Sequence, residues 1–199
     1  KKQLQLALLL LFSFSAGFSQ SKNLWKAVDG NQLASSKKVN RSSFPRSYAL
    51  YQLDLTTLKN NLAGAPVRGV FQGKSNLIIE LPNADGILEH YRVMETPIME
   101  PALAAKYPMI KSYAAQGIED PTAVARFSVT QFGLHSMTMS GEKSTVYIDP
   151  YTEDRQHYIV YSRQSLNKEN EDFTCLTDAG IKLPSLTNDK IVSPESALN

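Results

Sequence analysis

NLIIELPNADGILEHYRVMETPIM, residues 76–99, decides how the rest of the chain is read. Two apolar runs flank Asn83-Ala84-Asp85-Gly86, and the Asp-Gly ending supplies the positive-φ positions that a tight hairpin turn requires. On the return strand, a period of two puts Ile87, Tyr91 and Val93 on one face and His90 and Arg92 on the other. The stretch predicts an antiparallel hairpin with one buried face.

Toward the C-terminus, PALAAKYP (101–108) opens on proline and is rich in alanine, which predicts a two-turn helix ending at Pro108. MIKSYAAQGI then runs extended to Ile118, and EDPT makes a turn. Three or four short strands follow, in AVARFSVTQ (123–131), LHSMTMS (134–140), STVYIDP (144–150) and QHYIVYSR (156–163). Their close spacing, with glycine-bearing breaks and PYTEDR between them, indicates an antiparallel meander. Toward the N-terminus, YALYQLDL (48–55) has strand character. Its Asp54 is placed to cap a helix through TTLKNNLAGAP, which Gly64 and Pro66 stop. Residues 20–47 are polar apart from Leu24–Trp25 and read as a loosely structured lead-in, with Trp25 as an anchor onto the domain. The expected fold is α+β, a single antiparallel meander-rich domain over 48–165 with one or two short helices. Residues 166–199 read as a polar tail and linker toward a further domain.

The first residues, KKQLQLALLLLFSFSAGFSQ, have the three parts of an export signal: Lys1 and Lys2, an apolar run from Leu6 to Phe14, and small residues at Gly17 and Ser19. The run is too short to span a bilayer stably, and Gly17 and Ser19 suit the small pockets of signal peptidase. Residues 1–19 are therefore expected to be removed, giving a secreted protein that begins at Gln20. The chain has 21 basic and 19 acidic side chains, and Lys1 and Lys2 account for the difference. A mature segment that is formally neutral, with no basic run beyond Lys37–Lys38, carries no nucleic-acid footprint and no membrane-surface signature. About 180 residues are enough for one domain with a real core. A single cysteine means that this core holds by packing without an internal disulfide.

Candidate chemistry is sparse. His90, His135 and His157 fall on three separate strands, with no partner at zinc-ligand spacing and no HExxH, and read as strand-face histidines. Glu119-Asp120 and Asp149-Pro150-Tyr151 read as turn chemistry. Asn83-Ala84-Asp85-Gly86 lacks the downstream glutamate of a calcium loop. No GxSxG and no phosphate-cradling glycine loop occurs. The residues alone describe an exported β-rich domain without an active site or cofactor of its own. Tyr147, Tyr151, Tyr158 and Tyr161 could line a sugar platform, which would make it an exported binding module for a glycan or cell-surface partner. Alternating tyrosines also fill cores. Cys175 is open between a free buried thiol, a link outside the chain, and a ligand for a metal held elsewhere.

Residues 78–123 and 146–163, together with the YxLDLxxLKxxLxxAP pattern at 51–66 and the leader's Ser-Gln junction, resemble the N-terminal pro-region of secreted reprolysin-like zinc metallopeptidases of Bacteroidetes. The resemblance implies a pro-domain that assists folding of a metzincin catalytic domain and keeps it inactive. The zinc would then belong to that domain, the chain's partner, and no peptidase activity to these residues. It makes Cys175 a candidate inhibitory ligand to the zinc, although Thr174-Cys175-Leu176 departs from the Pro-Lys-Met-Cys-Gly switch of animal relatives.

Overall fold

The computed structural model describes residues 24–166. The expected export signal at 1–19 lies outside them, as does the expected tail after Leu166.

The described residues form one antiparallel sheet that curls into a nearly closed barrel. Its nine strands are β1 (Trp25–Ala27), β2 (Ala49–Leu53), β3 (Ile78–Pro82), β4 (Leu88–Glu95), β5 (Lys111–Gly117), β6 (Val124–Thr130), β7 (Gly133–Met139), β8 (Val146–Pro150) and β9 (His157–Ser162). The spatial order is β1-β2-β9-β8-β7-β6-β5-β4-β3. From β3 to β9 each strand pairs with the next in sequence, which is the expected meander. Only the β2–β9 pairing, with Leu50 opposite Ile159, joins strands that are not consecutive in sequence. The edge strands β1 and β3 share no ladder. The Trp25 indole spans that seam instead, donating from Nε1 to the Glu80 carbonyl at 2.8 Å. The Tyr51 hydroxyl likewise reaches the Gly86 carbonyl in the hairpin turn at 2.9 Å.

Two short helices complete the fold, so the helical part of the expected α+β class is small. In α1 (Leu55–Leu62) the Asp54 carboxylate accepts from the Thr57 amide at 2.9 Å, as the sequence predicts, and Leu58 and Leu62 enter the barrel core. That core is filled by the chain's own side chains, among them Trp25, Tyr51, Tyr91, Phe127 and Tyr158. The hairpin turn is held by the Asn83 side chain, whose Oδ1 accepts from the amides of Asp85 and Ile87. Tyr91 and Val93 face inward as expected. Ile87 does not: it lies in the turn before β4 begins and is 60% exposed.

The reading of residues 20–47 as a loose lead-in needs correction over its described part. Leu24 and Trp25 belong to the barrel core. Leu33, at the end of a 3-10 turn over Gly30–Leu33 capped by Asp29, joins Leu50, Tyr151, Ile159 and Tyr161 in a second core on the outer face of β2, β9 and β8. Strand β9 is consequently buried on both faces, with Tyr158 and Val160 inside and Ile159 and Tyr161 outside. The expected start of order at Tyr48 came from low apolar density. A few large residues at well-chosen positions meet the need that density would otherwise serve.

Candidate functional site

The segment before β2 positions the most polar constellation on the surface. Residues 37–41 run beside the β8–β9 turn, fixed by the Val39 amide on the Tyr151 carbonyl at 3.0 Å and the Glu153 amide on the Lys37 carbonyl at 2.9 Å. This brings Arg41 over the outer face of the sheet. There it meets His135 from β7, Asp149 from β8 and Tyr161 from β9. Arg41, His135 and Tyr161 all converge on the Asp149 carboxylate. His135 Nδ1 lies 3.0 Å from Asp149 Oδ1, while Arg41 Nη2 at 3.1 Å and the Tyr161 hydroxyl at 2.8 Å converge on Oδ2. The Arg41 guanidinium also lies over the Tyr161 ring, 5.3 Å from its centroid, and its buried Nε has no hydrogen-bond partner.

The electrostatics follow from that geometry. Burial pushes the Asp149 carboxyl up, but the hydrogen bonds from His135 and Tyr161 and the Arg41 charge outweigh it and hold the group below the usual aspartate range. Tyr161 is pushed up to about 12, first by burial and then by its bond to Asp149. A carboxylate whose pKa falls on folding adds stability at pH values above its unfolded pKa, and that stability is lost as pH drops through the folded value. The urea midpoint is therefore expected to hold between pH 7 and 5 and to fall below about pH 4. Titration of the wild type beside Asp149→Asn checks this, and the variant's acid-side fall is expected to be shallower.

The other two histidines are placed apart from this cluster. His90 on β4 is bracketed by Glu119 Oε1 at 2.5 Å and Glu80 Oε1 at 3.4 Å, and the Glu119 hydrogen bond raises its pKa. His157 on β9 contacts the Thr152 hydroxyl at 3.3 Å. The strand-face reading of the histidines holds. The carboxylates beside His90 and His135, however, come from neighbouring strands and turns that spacing along the chain does not reveal. Asp149 and Pro150 end a strand, as the expected strand over 144–150 has it and the turn reading of Asp149-Pro150-Tyr151 does not, and Asp149 is the hub of the cluster. Glu119-Asp120 is turn chemistry, with Asp120 accepting from Thr122 and Ser140. Of the four tyrosines read as a sugar platform, Tyr151, Tyr158 and Tyr161 are buried in the two cores, and Tyr147 is partly buried against the second. Cys175 lies outside the described residues. Among the described residues, no group of three or more His, Cys, Asp or Glu side chains is arranged to hold a metal ion.

A second surface is apolar. Between β4 and β5, residues 96–110 leave the barrel as an arm whose base is closed by the Thr96 amide on the Ser112 carbonyl at 2.8 Å. The arm contains α2 (Pro101–Lys106), which starts on proline as predicted and is capped by Glu100 Oε2, an acceptor from the Ala102 and Leu103 amides. None of its residues is buried. Ile98 is 82% exposed, and Leu103, Tyr107 and Met109 are exposed with it. The 66–71 loop joins the arm's root, where the Arg68 amide donates to the Glu95 carbonyl, and adds exposed Val70 and Phe71.

Comparison of the chain with protein-family models, with curated proteins and with solved structures returns no match.

Proposed function

We propose that this chain is the pro-region of a secreted zinc metallopeptidase, exported by residues 1–19, assisting the folding of the catalytic domain and restraining it until processing. The observation that carries the reading is the arm at 96–110. Its helix is capped and begins on proline yet buries no residue in its own domain, and the arm displays Leu103 from the helix and Ile98, Tyr107 and Met109 from its flanks to solvent. Exposed large apolar side chains, four within twelve residues of one segment, support a protein-binding surface. The partner is the catalytic domain of the same precursor. Further support comes from the stretch that resembles metallopeptidase pro-regions: residues 78–123 comprise β3, β4, the arm and β5. The filled barrel interior also turns the activity outward, to the surface. Zinc belongs to the partner, and Cys175 is a candidate for its fourth ligand in the latent form, because a thiolate binds zinc better than water does.

The test adds the chain to the catalytic domain and follows peptidase activity and refolding yield. Inhibition and a higher yield are expected; absence of both removes the reading. A paired substitution, Ile98→Asp with Met109→Asp, is expected to weaken inhibition about tenfold or more, since losing two buried apolar anchors removes at least ~1.4 kcal/mol of binding. It should leave the melting temperature unchanged, because both side chains are exposed. Cys175→Ser separates zinc ligation from docking. Weaker inhibition with unchanged binding supports the thiolate ligand, and equal inhibition excludes it.

A further inference from the structure

We propose that the cleft over the outer face of β7–β9 binds a peptide-like ligand that ends in a free carboxylate beside an apolar group, held by Arg155 and by His135 Nε2. This is independent of the pro-region reading. The cleft encloses about 640 Å³ between residues 39–43 and the strands, with Phe132, His135 and Arg155 among its walls. That volume is in the range of small-ligand sites.

Charge selects an anion. Asp149 is saturated by His135, Arg41 and Tyr161. Glu153 is paired with Lys37 at 2.7 Å. Arg41 is neutralised by Asp149. The cation left over is Arg155, which forms no ion pair among the described residues.

The backbone makes the same point separately. Arg155 has a φ of 60°, the one positive φ at a non-glycine among the described residues. The β8–β9 turn fixes it there. The Arg155 amide donates to the Thr152 carbonyl at 2.9 Å, and Asp154 Oδ1 accepts from the Thr152 hydroxyl at 2.5 Å and from the Gln156 amide at 3.0 Å. Glycine or asparagine would adopt this conformation with less strain, and strained residues are retained where a side chain has work that requires them.

The second contact comes from the His135 ring. With Nδ1 turned to the Asp149 carboxylate, Nε2 is the ring nitrogen left for a ligand on the half-exposed side, an acceptor in the tautomer that carries its proton on Nδ1. Phe132, 60% exposed, supplies the apolar wall. A ligand that fits presents a carboxylate to Arg155, an N–H to His135 and an apolar side chain to Phe132. Those are the groups of an N-acylated apolar amino acid or of a peptide C-terminus.

The test follows the histidine ring resonances of the full chain by NMR, with His135 assigned through His135→Gln, while N-acetyl-L-phenylalanine is added. A saturable shift at His135 is expected, with none from N-acetyl-L-phenylalaninamide. Arg155→Gly is expected to weaken binding about tenfold, the usual effect of losing a charge-assisted hydrogen bond. It should melt at the same temperature or higher, because glycine relieves the φ strain. The tripeptide Gly-Gly-Phe binding more tightly than the acetyl compound assigns the site to peptide termini, and the reverse order assigns it to free acylated amino acids. Equal shifts from acid and amide, displacement by inorganic phosphate at matching concentration, unchanged binding by Arg155→Gly or a lower melting temperature for that variant each overturn the proposal.

Discussion

Trp25→Ala is expected to lower the unfolding free energy by about 3–5 kcal/mol, the range for removing a buried aromatic side chain. Trp25 is only 4% exposed. It meets Tyr51 edge-on at 6.1 Å and Tyr158 at 5.9 Å, so its loss leaves a cavity faced by two other large rings. It is also the side chain that joins the two edges of the sheet through the Glu80 carbonyl. Trp25→Phe keeps an aromatic ring in the core and removes that bond, and is expected to cost about 1–2 kcal/mol. Urea unfolding gives the magnitudes, and amide exchange in β3 reports whether the seam opens. A Trp25→Ala loss below about 1 kcal/mol would mean that the barrel is held without the indole.

The second large effect is expected at Gly133, where β7 begins. Its φ is +101°, and an added Cβ would stand 2.8 Å from the Tyr158 hydroxyl and 3.2 Å from Pro150 Cγ. Tyr158 is fully buried, and its hydroxyl accepts from the Leu134 amide at 3.3 Å, so it has little room to retreat. Gly133→Ala combines the left-handed backbone term of about 1–2 kcal/mol with overpacking of about 1–3 kcal/mol. A total of about 2–4 kcal/mol is expected. Gly69 provides the control, since its φ is +88° and nothing lies within 4 Å of an added Cβ. Gly69→Ala should show the backbone term alone. If both variants lose the same amount, the contact with Tyr158 plays no part. Combining Gly133→Ala with Tyr158→Phe, which removes the crowding oxygen, should recover part of the loss.

The sequence made the local structure readable wherever one residue could impose its own geometry. Gly86 and Asn83 shape the hairpin turn, Asp54 caps α1, and Pro101 opens α2. The glycine-bearing breaks mark the ends of β6 and β7. Each of these acts within a few residues, and each is found where periodicity and turn chemistry place it. The misjudged positions depend on distant partners. Strand β1 has three residues, too few for a periodic signal, and exists because β2 lies beside it and β9 beside β2. Arg41 looks like any surface arginine until the fold brings Asp149 and Tyr161 beneath it. The same holds for His90 and His135, whose carboxylates come from other elements. Arg155 gives the least warning of all, because a positive φ at an arginine is imposed by the hydrogen bonds of its turn and leaves no trace in composition.

The strand order has a consequence for how the chain is made. Strands β3 to β9 can zip together as they leave the ribosome, each onto the one before it. Strand β2 is synthesised early but pairs with β9, the last strand of the barrel. The N-terminal ribbon must therefore wait, with Trp25 and Leu53 uncovered, until nearly the whole domain has emerged. Those waiting residues are where a holding chaperone would bind during synthesis, and a truncation just before β9 would leave them uncovered for good.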